Sequence, residues 1–395
     1  MYAALFDFRA PCPQTKILIF QGTHRMKMKA IKKNKLLRQL KKGAREGVFP
    51  GAVLLVAKRT KVLLFEAIGY RICFPERLPM EKDTIFDIAS LTKPLATTLG
   101  IMKLVDRGQL LLDQPLIDIL GISLPNDKRS LTPRLLLSHT SGLPHWKPYY
   151  LMLKGFESEN RKKIVREWIL NEPLMYQPGR GCLYSDLGFI LLEWIIEHTG
   201  EMPMPQFLKE NIYEPLLLKH TFFSGAFPIK KDKKKLFAAT EFCPWRKMVL
   251  QGEVHDDNAF TIGGYSGHAG LFSTAEEVYT LANMLRGHYM GLRQDLFKPE
   301  LVKLFFQRQT MLGDCTRTLG WDTPSSRNSR SGRYFSKKSV GHLGYTGTSI
   351  WIDFKRDVIV ILLTNRVHPT RENWGIKRFR PFIHNKIMET VCFLK

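Results

Sequence analysis

A serine followed three residues later by a lysine, Ser90-Leu91-Thr92-Lys93, stands where the apolar approach Phe86-Asp87-Ile88-Ala89 meets the helical run Leu95–Val105. Pro94 fits a first helical turn, where its missing N–H would find no partner in any case. Residues three apart on a helix share a face, so the Lys93 amine reaches the Ser90 hydroxyl. A helix N-terminus also aims unpaired N–H groups and the positive dipole end at whatever Ser90 attacks. An activating amine and a place for negative charge are what an acyl-transfer nucleophile needs. Ser-x-x-Lys also occurs on many solvated helices, so the pair decides nothing by itself.

Other reactive residues are less clearly placed. His139 sits in the polar turn that closes a short helix begun by Thr132-Pro133, and a structural role with its ring bonded to nearby backbone is expected. A cluster of His255, His268 and His342 in space is the one arrangement that would suit a metal. None stands in a ligand spacing such as the two-histidine zinc motif, so no metal and no other cofactor is expected. Cys12, Cys73, Cys182, Cys243, Cys315 and Cys392 are widely separated, with no Cys-x-x-Cys. That spacing predicts free, buried thiols in a reducing compartment, in place of a zinc knuckle or a disulfide framework.

The elements that must position these groups follow from the pattern along 395 residues. An apolar fraction of 44% supports a sizeable core. No stretch approaches the roughly 18–20 apolar residues of a membrane span. The net charge of +24 raises nucleic acid or an anionic membrane as partners. Yet the cations are spread along the chain, with local clusters at Lys27–Lys42 and Lys230–Lys235, so a solvated basic surface is expected and no nucleic-acid partner.

Residues 1–26 read as a disordered extension with Met26 or Met28 as alternative starts. The stretch lacks a clean signal peptide, and a cytoplasmic protein is expected. A basic amphipathic helix spans Met28 to Arg45, its leucines packed on the domain in preference to a membrane surface. Ala52–Ala57 and Val62–Glu66 read as strands joined by a charged turn. From Ser90 to about Thr221 the chain is mostly helical, with Gly200 stopping the apolar helix Phe189–His198. Lys230–Lys235 reads as a charged loop, and 254–274 as glycine-rich loops before a helix capped by Thr274. Ser325–Ser336 reads as a mobile polar loop. Val340–Phe354 and Val358–Thr364 read as a strand pair, the second buried on both faces, and Phe382–Phe393 as a closing helix.

Three motifs then stand in order: Ser90-Leu91-Thr92-Lys93, Tyr184-Ser185-Asp186, and His342-Leu343-Gly344-Tyr345-Thr346-Gly347. With the phrases Leu135–Pro144 and His268–Ser273 between them, the chain resembles the serine β-lactamase and penicillin-binding protein superfamily over about residues 28–395, and within it the class C-like branch. The resemblance implies an α+β fold: an antiparallel β-sheet flanked by helices, plus a mostly helical subdomain. It implies one domain over 27–395, its α/β part about 27–88 and 255–395 and its helical part about 89–254. Ser90 is then the nucleophile of an acyl-enzyme, Lys93 a proton relay and Tyr184 a general base. The N–H groups of Ser90 and Tyr345 form the oxyanion hole, the strand Gly341–Gly347 pairs with an extended substrate, and Asp186, His342 and Gly344 are substrate-binding residues.

Three residues depart from the family pattern, Asp186 in the second motif and His342 and Leu343 in the third, where Leu343 replaces the usual threonine and offers no hydroxyl. Asp186 replaces the usual asparagine and, as an anion beside Lys93, favours its charged form. His342 replaces the usual lysine and is mostly neutral at pH 7 unless paired. The departures weaken the case for a true β-lactamase and suit a neutral ester or amide, so a serine hydrolase of a small-molecule ester, amide or peptide is expected. A β-lactamase, D,D-carboxypeptidase or D-aminopeptidase-like enzyme is the alternative, against which the expected cytoplasmic location counts. A catalytically silent scaffold on the same fold is the alternative from another class.

Overall fold

The computed structural model describes residues 30–393 apart from 228, 310, 311 and 314. The expected N-terminal extension and its alternative starts lie outside the described residues.

Five strands carry the main sheet: β1 (Gly51–Lys58), β2 (Lys61–Ile72), β3 (Ser339–Leu343), β4 (Ser349–Asp353) and β5 (Val358–Thr364). All pairings are antiparallel, in the order β2-β1-β5-β4-β3, with the short strand Leu78–Pro79 outside β2. The centre joins the two ends of the chain, with Leu54 opposite Leu362. Five helices matter most for the site: α1 (Ala30–Arg45), α2 (Thr98–Asp106), α3 (Asp186–Gly200), α4 (Ala275–Tyr289) and α5 (Ile376–Met388).

Successive residues of a strand face opposite sides of the sheet. Ala52, Leu54 and Val56 pack with Leu36 and Leu40 of α1 and with Ile383 and Ile387 of α5. Val53, Leu55 and Ala57 join the larger core, with Leu99 of α2, Leu191 of α3 and Leu281 of α4. Covered on both faces, β1 and β5 are continuously apolar. Full burial of Leu36 and Leu40 contributes about 1.5–3 kcal/mol each, so the leucines of the basic helix hold it to the domain.

Several expectations are corrected. Val340–Phe354 is two strands, because the turn 344–348 folds β3 back onto β4. A Cβ on Gly344 would lie 2.0 Å from Thr348 Oγ1 and 2.6 Å from the Ile88 carbonyl, so only glycine allows that turn to approach the Ser90 segment. Lys231–Leu236 forms a 3-10 helix where a loop was expected, and 254–274 contains the helix Asp257–Thr261 and the strand Leu271–Ser273. Gly200 ends α3, but the left-handed residue is Glu201, at φ 53°. The 325–336 segment is irregular and tied down, Ser336 N donating to Asp353 Oδ2 at 2.9 Å and Arg333 N to Asn385 Oδ1 at 2.8 Å.

The thiol expectation also fails. Cys182 and Cys315 are joined in a disulfide, their Cα atoms 6.0 Å apart across a sequence separation of 133. Tertiary folding, invisible in cysteine spacing, brings them within bonding reach. Cys73, Cys243 and Cys392 are free. Among the described residues no helix is long and apolar enough to cross a membrane.

Candidate active site

Ser90 lies on a tight 3-10 turn, Ala89–Leu91, followed by a wide π turn, Lys93–Thr97, before α2 begins. The helix expected from Leu95 is therefore irregular in its first turns. Pro94 offers no N–H, which loosens the regular ladder where the chain must re-aim. Ala89 takes a left-handed φ of 50°, an unusual state for a residue with a Cβ. Surrounding bonds enforce it. Asp87 Oδ1 accepts from Ala89 N at 2.8 Å and Asp87 Oδ2 from His255 N at 2.7 Å. Thr346 Oγ1 donates to the Asp87 carbonyl and Thr348 Oγ1 to the Ile88 carbonyl, at 2.8 and 2.9 Å, so the third motif clamps the first. Strained backbone held by this many bonds is what preorganised sites display.

Lys93 is fully buried and donates from Nζ to Ser90 Oγ at 3.2 Å and to the His268 carbonyl at 3.1 Å. That carbonyl belongs to the loop 266–270, held against α3: Ser266 Oγ and Gly267 N both donate to Glu193 Oε2, at 3.0 and 2.9 Å. Asp186, at the N-terminus of α3, places Oδ1 2.6 Å from Lys93 Nζ. Burial works against the Lys93 ammonium, but Asp186 and Tyr184 outweigh it and hold the amine above its ordinary pKa. Burial pushes the Tyr184 phenol up. Lys93 and Ser90 pull the other way, and Asp186 adds to the rise. The resting site therefore holds a lysine ammonium, paired with Asp186, and a neutral phenol.

Tyr184 is packed on several sides. Its ring centroid lies 4.6 Å from His139, 5.6 Å from His145 and 6.0 Å from His342, with the Arg317 guanidinium 5.1 Å away. His139 accepts from Ser185 N at 3.0 Å, the backbone role expected for it. Burial, then the cations Arg317 and Lys93, holds the His139 imidazole well below its usual pKa. The same burial and cations do so at His342. The three other histidine expectations separate. His342 Nδ1 contacts the Leu343 carbonyl at 3.0 Å. His255 packs on the Tyr345 ring at 5.7 Å. His268 bridges Ser266 Oγ and Asp256 Oδ1, at 3.1 and 3.0 Å.

A cavity of about 360 Å³ opens on Ser90, Tyr184, Asp186 and Tyr345. His342 and Gly344 do not line it; His342 is buried behind Tyr184. Its remaining wall includes His145, Trp146, Asp256 and Arg371, which sequence reasoning did not single out. Nor did it single out Arg380, whose Nη2 donates to the Gly344 carbonyl at 2.5 Å and the Thr348 carbonyl at 2.9 Å. None of these stands in a local spacing that marks chemistry. A trans peptide points its C=O and N–H in opposite directions. With the Gly344 carbonyl gripped by Arg380 of α5, the Tyr345 N–H points away from α5. Such an arrangement offers a nucleophile, a proton-transfer pair and a fixed backbone donor, the components of acyl transfer.

Residues 34–378 match the Beta-lactamase family profile. An N-acetylmuramyl-L-alanine amidase of Bacillus subtilis (strain 168) is 35% identical over 357 residues, covering 81% of this chain and 78% of the amidase. Among solved structures, EstCE1, a hydrolase with promiscuous acyltransferase activity, aligns with a TM-score of 0.70 at 20% identity, over 90% of this chain and 98% of its own. The octameric penicillin-binding protein homologue from Pyrococcus abyssi aligns with a TM-score of 0.70 at 22% identity, over 90% and 77%. These structural likenesses concern the fold: antiparallel sheet, flanking helices and helical portion.

Proposed function

The chain belongs to the beta-lactamase family of serine hydrolases, and from that premise we propose that it cleaves an amide through an acyl-enzyme on Ser90. The observation that carries the reading is the 3.2 Å approach of Lys93 Nζ to Ser90 Oγ, with Tyr184 in contact with both. The reactive form has one proton fewer on the Lys93–Tyr184 pair than the resting form. That pair takes the Ser90 proton as Oγ attacks the carbonyl carbon, and returns it to the leaving amine as the C–N bond breaks. The N–H groups of Ser90 and Tyr345 stabilise the oxyanion. Water then attacks the ester, giving its proton to the same pair, and Ser90 is restored.

An amide is favoured over a simple ester because the amidase relative is similar along four-fifths of this chain. His342 is buried and uncharged, so the third motif supplies no cation for a substrate carboxylate. Arg371, the cation on the cavity wall, is already engaged by Glu241 and Asp257. Both facts support a substrate that presents a neutral amide, with the exposed faces of Trp146 and Tyr345 at the mouth available to pack on it. In the same reading residues 27–395 form one hydrolase domain, the helical part spanning about 89–254. The disulfide beside the site supports work in an oxidising compartment, in place of the cytoplasm expected from sequence.

The test is mass spectrometry of the intact protein after exposure to a fluorophosphonate, for wild type and Ser90→Ala. A single adduct on wild type alone supports the assignment. An adduct on both, or none on folded wild type, overturns it. Hydrolysis assays on N-acyl-L-alanine amides and matching esters then separate the amide from the ester reading.

A further inference from the structure

The cavity at Ser90 is not the largest. A cleft of about 930 Å³ opens between α1, the Ala67–Tyr70 end of β2 and the segment 368–373. Its floor is apolar, with Phe49, Ala67 and Ile68 among the lining residues. Its rim is basic: Arg38, Lys41 and Arg45 come from α1, and Arg77 from beyond the end of β2. A second cavity of about 450 Å³ adjoins it, sharing Arg38 and Lys41 and adding Leu37. Among the described residues no carboxylate lines either one.

The three cations on α1 are spaced i, i+3 and i+7, which places them on one stripe. Like charges so spaced destabilise a helix by a few tenths of a kcal/mol per pair. The ion pairs of α1 use other residues, Lys33 with Glu66 and Lys42 with Glu46. Among the described residues Arg38, Lys41 and Arg45 have no acidic partner. Arg77 stacks on the Tyr70 ring at 5.6 Å, which leaves its guanidinium edge free to bond. Four cations thus converge on an apolar cleft of a size ordinary for a small-molecule site, roughly 300–1,000 Å³. Guanidinium groups suit oxyanions, and the apolar floor suits an alkyl chain.

We propose that this cleft binds a single-chain amphiphile with an oxyanion head, the chain on the Phe49–Ile68 floor and the head among Arg38, Lys41, Arg45 and Arg77. The cleft shares no lining residue with the Ser90 cavity, and the proposal does not depend on the hydrolase reading. The proposed occupant is a monomeric ligand and not a bilayer surface.

Isothermal titration calorimetry of the full chain with decyl phosphate and with decanoate, both kept monomeric, tests the proposal. Saturable binding of either is expected, and the tighter one identifies the head. Inorganic phosphate and the neutral decyl maltoside should each bind at least about tenfold more weakly, since each lacks one half of the recognition. The exposed double variant Arg38→Glu/Arg45→Glu should lose about tenfold or more, and Arg77→Glu from the opposite wall should lose affinity as well. Unchanged thermal unfolding of either variant shows that folding is not the cause. Absence of saturable binding, equal binding by both variants, or binding confined to phosphatidylglycerol vesicles would each overturn the proposal.

Discussion

Lys93 Nζ and Asp186 Oδ1 are 2.6 Å apart, with the lysine side chain wholly buried. Burial alone would favour the free amine, yet the neighbouring anion keeps it protonated. Asp186 also raises the Tyr184 phenol. Both effects hold the proton-transfer pair in its fully protonated form and place the reactive form toward alkaline pH. Asp186→Asn removes the anion, so both groups release a proton at lower pH. The ascending limb of the kcat/KM profile should move to lower pH by on the order of one unit, about 1.4 kcal/mol. An unmoved limb would show that Asp186 does not set the protonation of the pair.

Arg380 acts on the site through the backbone. Burial holds its guanidinium down at about 9, yet it keeps two bonds to the Gly344 and Thr348 carbonyls. The first of these fixes the peptide whose N–H belongs to Tyr345. Arg380→Met should lower kcat by roughly tenfold to a hundredfold, less than outright loss of an oxyanion donor. KM should change little, and Arg380→Lys should restore part of kcat. Equal losses in kcat and thermal stability, with no rescue by lysine, would reduce Arg380 to a packing residue.

What was legible in the sequence was what local pattern encodes. The apolar runs of β1 and β5, the Thr132 and Thr274 caps and the leucines of α1 all appear in the fold. The three motifs were legible because their order and spacing survive in one dimension. Asp186 beside Lys93 followed from a single departure within one motif. The remainder depends on contacts between distant residues. Arg380 reaches Gly344 from α5, 36 positions along the chain, and Cys182 meets Cys315 across 133 positions. The split of 340–354 turned on Gly344, whose missing Cβ matters only because Ile88 and Thr348 lie against it.

The Cys182–Cys315 bond joins the segment that presents Tyr184 to the segment that places Arg317 over its ring, 5.1 Å from the centroid. In the chain-entropy account, closing a loop of this size stabilises by about 4–5 kcal/mol. Cys182→Ser/Cys315→Ser, or reduction by dithiothreitol, should therefore lower the denaturation midpoint and reduce the rate of fluorophosphonate labelling at Ser90. Labelling that slows in proportion to the unfolded fraction alone would assign the bond to stability without a role in holding Tyr184.

Buried histidines set the response of stability to acid. His368 is held at about 4 and His384 at about 3 by burial, and His139 and His342 also lie well below the usual value. The unfolded chain takes up a proton at each near its ordinary pKa of about 6.5, where the folded chain does not. Stability contributed by the neutral rings is thus complete above about pH 7 and is lost as pH falls toward the folded values, by up to about 1.4 kcal/mol per unit per histidine. His268 works in the opposite sense, because Asp256 lifts it and its ion pair persists below its unfolded pKa. Glu241, held down at about 2 with Arg371 as partner, adds to the acid loss only below its unfolded value near 4.5. Urea midpoints measured between about pH 7.5 and 5 should therefore fall steadily as acid is added. His384→Gln keeps a polar group near Ser349, whose Oγ lies 3.2 Å from His384 Nε2, and removes one titrating ring. Its stability should fall with acid less steeply than wild type, by about 1.4 kcal/mol per unit. Parallel curves for the two proteins would mean that His384 takes up its proton in the folded state and that acid acts elsewhere.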